Sequence, residues 1–417
     1  MIYFCYYYSY KMQKTVYIII PVMDEADYLP HTLSCAMGDN VEANVQISIC
    51  VNQPEDWWHL PDKKDVCIAN MQTIAYIKST YGNKVHVLDY ASPDKGWKGK
   101  KQGVGCARRV LMQRVLSEAK ADDVIVSMDA DTCWQKGYLQ YVVQHLQGKS
   151  GALCAPYYHQ LSGMEAQDRA MLRYEIYMRT YLINLLRIGS PYAFTALGSV
   201  IACKASAAKA VGGFDTQMSG EDFYFLQKLA KSKPVSLYSP YAVYPANRVS
   251  DRVPYGTGPA IVKNMQAQWD TYPVFAPESF DKIKQTYLLI PQLYEQDMDS
   301  DYFCFLKEMF KNQHFLQALR KNSRTVNQFS KLFHQKADAL REFQYLRYYH
   351  AKHFRSSEEN LRTLLEQYYP SADEFTCFDA DSDMSTMPLQ SLNALRNRLY
   401  DIEISLRKNH DIEHQYI

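Results

Sequence analysis

Short runs of β-branched and apolar residues alternate with stretches of helical period through the first half of the chain. Val16-Tyr17-Ile18-Ile19-Ile20 ends at Pro21, residues 45–51 form a second run, 84–88 a weaker third and 124–128 a fourth. Each has the length of a strand and is too short for a helix. Residues 27–37, 65–80 and 105–120 carry helical period between them. Strands separated by helices predict βαβ units, hence an α/β fold with a Rossmann-like, mostly parallel central sheet flanked by helices. Ligands bind such sheets beyond the carboxyl ends of the strands, so the residues that follow each run become the first place to look for chemistry.

The pattern then changes. Residues 164–188 form a long amphipathic helix in which Met171, Leu172, Ile176, Leu182 and Leu185 interleave with Arg169, Arg173, Glu175 and Arg179. A stretch of small residues, 195–208, leads into Gly212-Gly213-Phe214. After about residue 260 glycine all but vanishes and helical period takes over, with Val326, Phe329, Phe333, Leu340, Phe343 and Leu346 on one side. Pro388 precedes a last helix whose Leu392, Leu395, Leu399, Ile402 and Leu406 alternate at spacings of three and four. Two heptads are too few for a coiled coil, so packing onto the rest of the chain is expected. The chain divides into a leader at 1–13, an α/β domain at 14–260 and a mostly α-helical C-terminal region at 261–417. The leader reads either as disordered or as lying upstream of a true start at Met12.

Composition narrows the function classes. The 417 residues hold 46 Lys and Arg against 45 Asp and Glu, a net charge of +1 that argues against a nucleic-acid binder. No run reaches the roughly 18 apolar residues of a membrane span, so no transmembrane helix is expected, and peripheral membrane association stays open. Ten cysteines scattered singly, without CxxC spacing, read as reduced thiols of a cytoplasmic protein. His350 and His353 read as surface histidines, not as a metal site. The 34 tyrosines fit polar clefts as well as cores.

Three segments carry candidate chemistry. Asp129-Ala130-Asp131 follows the fourth strand, where paired carboxylates suit a hard divalent ion and the phosphates it holds. Asp297-Met298-Asp299 and Asp379-Ala380-Asp381 have the same spacing without a strand before them and read as solvated loop carboxylates. The segment from Gly96 to Arg109 (GWKGKKQGVGCARR) joins glycines, cations and a helix start, a combination that suits phosphate. It is neither a P-loop nor a dinucleotide fingerprint, which weakens ATPase and dehydrogenase readings. Finally, Gly212-Gly213-Phe214-Asp215 precedes Gly220-Glu221-Asp222, an acidic pair that reads either as a general base or, with Ser219, as the cap of a helix over 223–231.

Taken together and in this order, these segments resemble family 2 glycosyltransferases of the GT-A fold. Pro21-Val22-Met23-Asp24-Glu25 looks like their PVxNE opening, and Asp129-Ala130-Asp131 like their DxD. The glycine-lysine loop looks like their KGxGxAR, and Gly212 to Asp222 like their GGF…(G/T)ED. The resemblance covers about residues 14–260. It implies a hexosyltransferase-type enzyme that uses a nucleoside-diphosphate sugar, with Pro21, Val22, Glu25 and Asn52 near the base. Asp129, Ala130 and Asp131 would lie at the ribose and at a Mn²⁺ or Mg²⁺ ion, Asp131 being the more direct ligand and Asp129 the second. Lys98, Lys100 and Arg108 would lie at the diphosphate, with Gly198 and Ser199 bordering the site. It further implies Asp222 as catalytic base beside Glu221, and an inverting attack by an acceptor hydroxyl. Tyr174 and Tyr177 border the acceptor side as sugar contacts or, more simply, as core.

The sequence departs from the processive members of that family. It lacks their (Q/R)xxRW motif and flanking membrane helices, so transfer of a single sugar is expected. Residues 250–258 close the domain instead, read as an acceptor-side loop with Arg252 available to phosphate. Two other classes stay open at this stage, a nucleotidyltransferase and a catalytically silent binding or scaffold protein, and so does a retaining transferase, because the GT-A fold hosts both stereochemical outcomes.

Overall fold

A seven-stranded sheet holds β1 (Thr15–Val22), β2 (Asn44–Asn52), β3 (Val85–Tyr90), β4 (Val124–Ser127), β6 (Ala152–Cys154), β7 (Ile201–Lys204) and β8 (Val235–Ser236) in the order β3-β2-β1-β4-β7-β6-β8. The computed structural model describes residues 14–99, 102–217, 220–249, 257–370, 378 and 381–415. Pairing is parallel except where β7 meets β4 and β6. This is the mostly parallel, helix-flanked sheet that the alternation of runs implies. β1 sits mid-sheet and Val16, Ile18, Ile19 and Ile20 are fully buried, which explains a continuous apolar run in place of alternation. A second, two-stranded sheet pairs β5 (Thr132–Trp134) with β9 (Val243–Pro245), each three residues long and too short to leave a periodic signature.

The first seven helices are α1 (Leu29–Gly38), α2 (Lys64–Tyr81), α3 (Val104–Leu116), α4 (Tyr138–His145), α5 (Glu165–Arg187), α6 (Ala205–Ala210) and α7 (Glu221–Ser232). α3 ends earlier than its hydrophobic period suggests. Asp123 accounts for the stop, because one carboxylate oxygen accepts the Lys120 N–H at 2.7 Å and the other the Thr15 N–H at 2.9 Å. The loop that follows the helix is thereby tied to the first residue of β1.

Beyond the sheet come α8 (Thr257–Met265), α9 (Pro277–Leu288), α10 (Ile290–Glu295), α11 (Asp301–Phe310), α12 (Phe315–Lys321), α13 (Val326–Lys336), α14 (Ala339–Lys352), α15 (Ser357–Tyr368) and α16 (Leu389–Gln415). The apolar stripe from Val326 to Leu346 is two helices, because Asp338 caps α14 by accepting the Arg341 N–H. No helix among the described residues is long and apolar enough to cross a membrane.

α16 runs back along α5. Leu392, Leu395 and Leu399 are fully buried against Leu172, Ile176 and Ile183 of α5. The charged residues that sequence period assigns to the outer face of α5 are partly inside: Glu175 and Arg179 are fully buried. Arg179 donates to Glu403 at 2.7 Å, Arg396 to Glu175 at 2.6 Å, and Arg407 to Glu403 at 2.7 Å. Arg407 also donates to the carbonyls of Cys154 and Leu237, each at 2.8 Å. Buried charges persist only when paired and hydrogen-bonded, and here each guanidinium reaches both a carboxylate and, apart from that, a backbone oxygen.

Candidate active site

β1, β2 and β4 are adjacent and parallel, so their carboxyl ends lie at one edge of the sheet, where the ligand cleft of such folds is found, and the candidate residues arrive there from different elements. β4 leaves the sheet after Ser127, with the Met128 N–H still donating to Ile19 O at 3.0 Å, and Asp129 to Asp131 turn into β5. Ala130 is buried and its carbonyl accepts from Thr32 at 2.7 Å, which fixes the turn between the two aspartates. β9 pairs with β5, so the chain after Pro245 runs past the turn and the Ala246 N–H donates to Asp131 O at 3.1 Å.

Beneath Asp129 lies Arg108. Its side chain is 2% exposed, and its Nε donates to Glu221 at 2.9 Å while Nη2 donates to Asp129. Nη1 donates to Ser127 Oγ and, at 3.4 Å, to Gly198 O. One buried guanidinium thus joins the DxD turn, the first turn of α7 and the strand end. The resemblance implies that Arg108 meets diphosphate charge. In the structure its donors go to the protein acceptors Glu221, Asp129, Ser127 and Gly198. Gly198 has a physical reason to be glycine, since a Cβ there would lie 1.8 Å from Arg108 Nη2. Gly105 has another, since its Cβ would meet Gln217 O at 2.1 Å, so α3 and the loop before α7 touch backbone to backbone.

Ser199 completes the support of Asp129. Its hydroxyl donates to Asp129 Oδ2 at 2.6 Å, accepts the Asp129 N–H at 3.1 Å and lies 2.9 Å from Thr132 Oγ1. Glu221 and Asp222 occupy the first turn of α7, which begins after Gly220 in left-handed conformation at φ +75°. Burial raises the Glu221 carboxyl above the usual range, against the pull of Arg108. Asp222 is pushed up to about 7, first by burial and then by the charge of Glu221, and its Oδ1 accepts the Phe223 N–H at 2.7 Å. Raised acids of this kind gather where a proton must be taken up near neutral pH.

Arg248, which no sequence motif marks, faces Asp131. Its Nε donates to Asp131 Oδ2 at 2.6 Å and its Nη2 to Glu25 Oε1 at 2.5 Å, with the guanidinium carbon 4.6 Å from the centre of the Tyr28 ring. Only the pairing of β5 with β9 brings residue 248 beside residue 131, so no local signal existed to find it.

The remaining expected residues are placed as follows. Pro21 and Val22 are buried at the end of β1. Asn52 is buried at the end of β2, with its amide N–H donating to Val22 O at 2.9 Å and its oxygen accepting from Trp97 Nε1 at 3.1 Å. Trp97 in turn stacks on Tyr90 at 4.2 Å, so the glycine-lysine loop is anchored at its start through Asn52. Lys98 is exposed. Lys100, Ser219, Arg252 and residues 250–256 lie outside the described residues. Tyr174 and Tyr177 join Tyr272 in an aromatic cluster at centroid distances of 5.2 to 6.1 Å. Asp297 and Asp299 are ion-paired with Arg320 at 2.5 Å and Lys307 at 3.0 Å, away from any strand end.

A divalent ion fits this cleft in one way. Among the described residues no set of three His, Cys, Asp or Glu side chains converges as a closed metal cage. Asp129 is engaged on both oxygens, while Asp131 stands at the turn with, among the described residues, Arg248 and, at 3.4 Å, Thr132 on its side chain. Ions such as Mg²⁺ take one or two carboxylates and fill the rest of their shell from phosphate and water. Asp131 is the side chain suited to that role.

Comparison with known proteins agrees with the motif order. Residues 124–272 match the model of the family described as glycosyl transferase family group 2. No curated protein matches the chain in sequence. Among solved structures, TarS 1–349 of S. aureus is 12% identical with a TM-score of 0.36, over 95% of this chain and 92% of that one. A mannosyltransferase from Pyrobaculum calidifontis, solved with GDP-Man and Mn²⁺, is 14% identical with a TM-score of 0.40, over 96% of this chain and 86% of that one. Likeness at these scores is too loose to argue from, and the sequence match carries the assignment. It begins at β4 and takes in Asp129, Asp131, Glu221, Asp222 and Arg248, so over residues 124–272 this chain is similar to the glycosyl transferase family group 2.

Proposed function

We propose that the chain transfers a single sugar from a nucleoside-diphosphate sugar to an acceptor hydroxyl with inversion at the anomeric carbon, and that residues 14–260 form the transferase unit. The observation that carries this reading is the coupling of Asp129 to the Glu221–Asp222 pair through buried Arg108, which fixes a donor-side acid and a candidate base in one frame. Asp222 is the base. Held near pH 7 by burial and by Glu221, it takes the proton of the acceptor hydroxyl as the oxygen attacks. Glu221 and Arg108 are positioning residues that fix the first turn of α7 against the DxD turn. Pro21, Val22 and Glu25 form the base-side wall, and Asn52 anchors Trp97 at the head of the glycine-lysine loop. Asp131 would hold the divalent ion, Mn²⁺ or Mg²⁺, which when bound neutralises the diphosphate leaving group. Lys98 supplies further positive charge from the segment before α3, and the sequence motifs add Lys100 and Arg252 to it.

The test is a thermal-shift screen of UDP, GDP, CDP and dTDP with Mn²⁺, followed by product analysis with the stabilising nucleotide's sugar. A ligand at 100 times its Kd raises stability by about 2.7 kcal/mol, so a true donor nucleotide stands out. Release of nucleoside diphosphate supports the reading. Release of inorganic pyrophosphate from a nucleoside triphosphate would make it a nucleotidyltransferase, and absence of any nucleotide binding would leave a scaffold.

A further inference from the structure

The acid at the end of the DxD turn has a cation supplied by the chain itself. The planar guanidinium of Arg248 spans Asp131 at 2.6 Å and Glu25 at 2.5 Å, so the two carboxylates stand one guanidinium apart. The three side chains are 17%, 14% and 8% exposed, so this is a partly desolvated triad and not a surface ion pair. Without a cation between them, Glu25 and Asp131 would face each other as like charges. Yet Asp131 is also the side chain best suited to a divalent ion, and the two cations compete for the same oxygens.

We propose that Arg248 is a built-in counter-cation that holds Asp131 and Glu25 in the donor-free protein and yields Asp131 to the divalent ion when a diphosphate offers the guanidinium a second anion. Three features support this. A guanidinium presents the same two-pronged donor geometry to carboxylate and to phosphate, so one group can serve both partners. Arg248 follows β9 by three residues, and its backbone is held beside Asp131 by the Ala246 N–H on Asp131 O at 3.1 Å. Its side chain therefore exchanges partners without any change in where the strand lies. Its guanidinium also rests on Tyr28, which is 37% exposed, so the group lies nearer to solvent than Arg108, whose side chain is 2% exposed.

The consequence is a coupling. A tethered cation acts at an effective concentration in the millimolar range, so metal alone binds against that competition. A nucleoside diphosphate removes the competitor by giving Arg248 another anion, and by linkage metal and nucleotide then raise each other's affinity by the same factor. The second half of the proposal rests on the nucleoside-diphosphate reading above, whereas the first half concerns metal and Arg248 alone.

The experiment measures free Mn²⁺ by electron paramagnetic resonance in titrations of the full chain, with and without the nucleotide found in the thermal screen. Wild type is expected to bind Mn²⁺ weakly by itself and at least about tenfold more tightly with nucleotide, a coupling typical of linked sites. Arg248→Gln is expected to bind Mn²⁺ alone about tenfold more tightly than wild type and to lose most of the nucleotide coupling. Arg248→Lys keeps the charge without the fork, so it should block metal yet couple poorly to nucleotide. Circular dichroism confirms that both variants are folded. Unchanged or weaker Mn²⁺ binding in folded Arg248→Gln overturns the proposal, because Arg248 would then be a structural tie. Failure of nucleotide to bind wild type sinks the functional reading, and the metal-only comparison still decides the competition at Asp131.

Discussion

Removing the charge of Arg108 tests whether the candidate site is held together as described. In Arg108→Gln the buried carboxylate of Glu221 loses its partner at 2.9 Å, and Asp129 loses one of its two side-chain donors. Two unit charges at that separation attract by about 6 kcal/mol at an effective dielectric of about 20, before desolvation is subtracted. Breaking one side of a buried pair, which strands the other charge, costs about 3–5 kcal/mol in net stability. That is a large part of the roughly 5–15 kcal/mol that holds a typical domain.

The sign with pH distinguishes this cause from simple loss of packing. Burial already raises the Glu221 carboxyl above its unfolded value, and loss of Arg108 raises it further. An acid whose folded pKa exceeds its unfolded pKa penalises folding once pH passes the unfolded value, and the penalty is complete above the folded value. Urea unfolding followed by tryptophan fluorescence should therefore show the full loss at about pH 8 and a clearly smaller one at about pH 5, as midpoint shifts at constant slope. An equal loss at both pH values would refute the electrostatic account and leave only a packing defect. Arg108→Met serves as the control of similar volume, and it should show the same pH dependence.

Asp222→Asn should lower kcat by about 10²–10⁴ with nucleotide affinity unchanged, because a general base acts in the step and not in donor binding. In wild type, log kcat should rise with unit slope and level off near pH 7, since Asp222 works deprotonated and its proton is held up to about that pH; a profile flat from pH about 5 to 8 would remove it as the base. Gly198→Ala forces Arg108 from its seat, since the added Cβ would lie 1.8 Å from Nη2, and it should lower the urea midpoint as Arg108→Gln does without changing any charge. Glu403→Ala takes from buried Arg407 its carboxylate partner and leaves Arg179 with Glu175 at 3.4 Å; it should cost about 3–5 kcal/mol, seen as faster hydrogen exchange across α16.

Much of the site is legible along the chain because its parts sit at strand ends. The run before Asp129 announces a buried strand, and an acid pair that follows it differs from Asp297 and Asp299, whose charges the surface cations Arg320 and Lys307 satisfy. Glycines before α3 and α7 are likewise legible as places of close approach, although what approaches Gly105 is the backbone of Gln217, which no local pattern names. The roles of the cations are not legible. Arg108 and the lysines before it look alike as a basic segment, but helical pitch turns Arg108 under the sheet end while Lys98 stays exposed. The amphipathic reading of α5 fails for a related reason: Glu175 and Arg179 look solvent-bound until Arg396, Glu403 and Arg407 arrive more than 200 residues later.

Sequence alone determines those features of this protein that arise from short-range physics. Apolar runs of strand length separated by helical period specify a mostly parallel sheet, and motif order specifies which strand ends carry acids. Tertiary structure decides which charges meet. The pairing of β5 with β9 sets Arg248 on Asp131, the return of α16 along α5 buries five charged side chains, and Arg108 acquires its partners from α7 and the DxD turn. An ion pair depends on separation in space, and the chain carries no periodic signal for contacts between residues 117 or 224 positions apart.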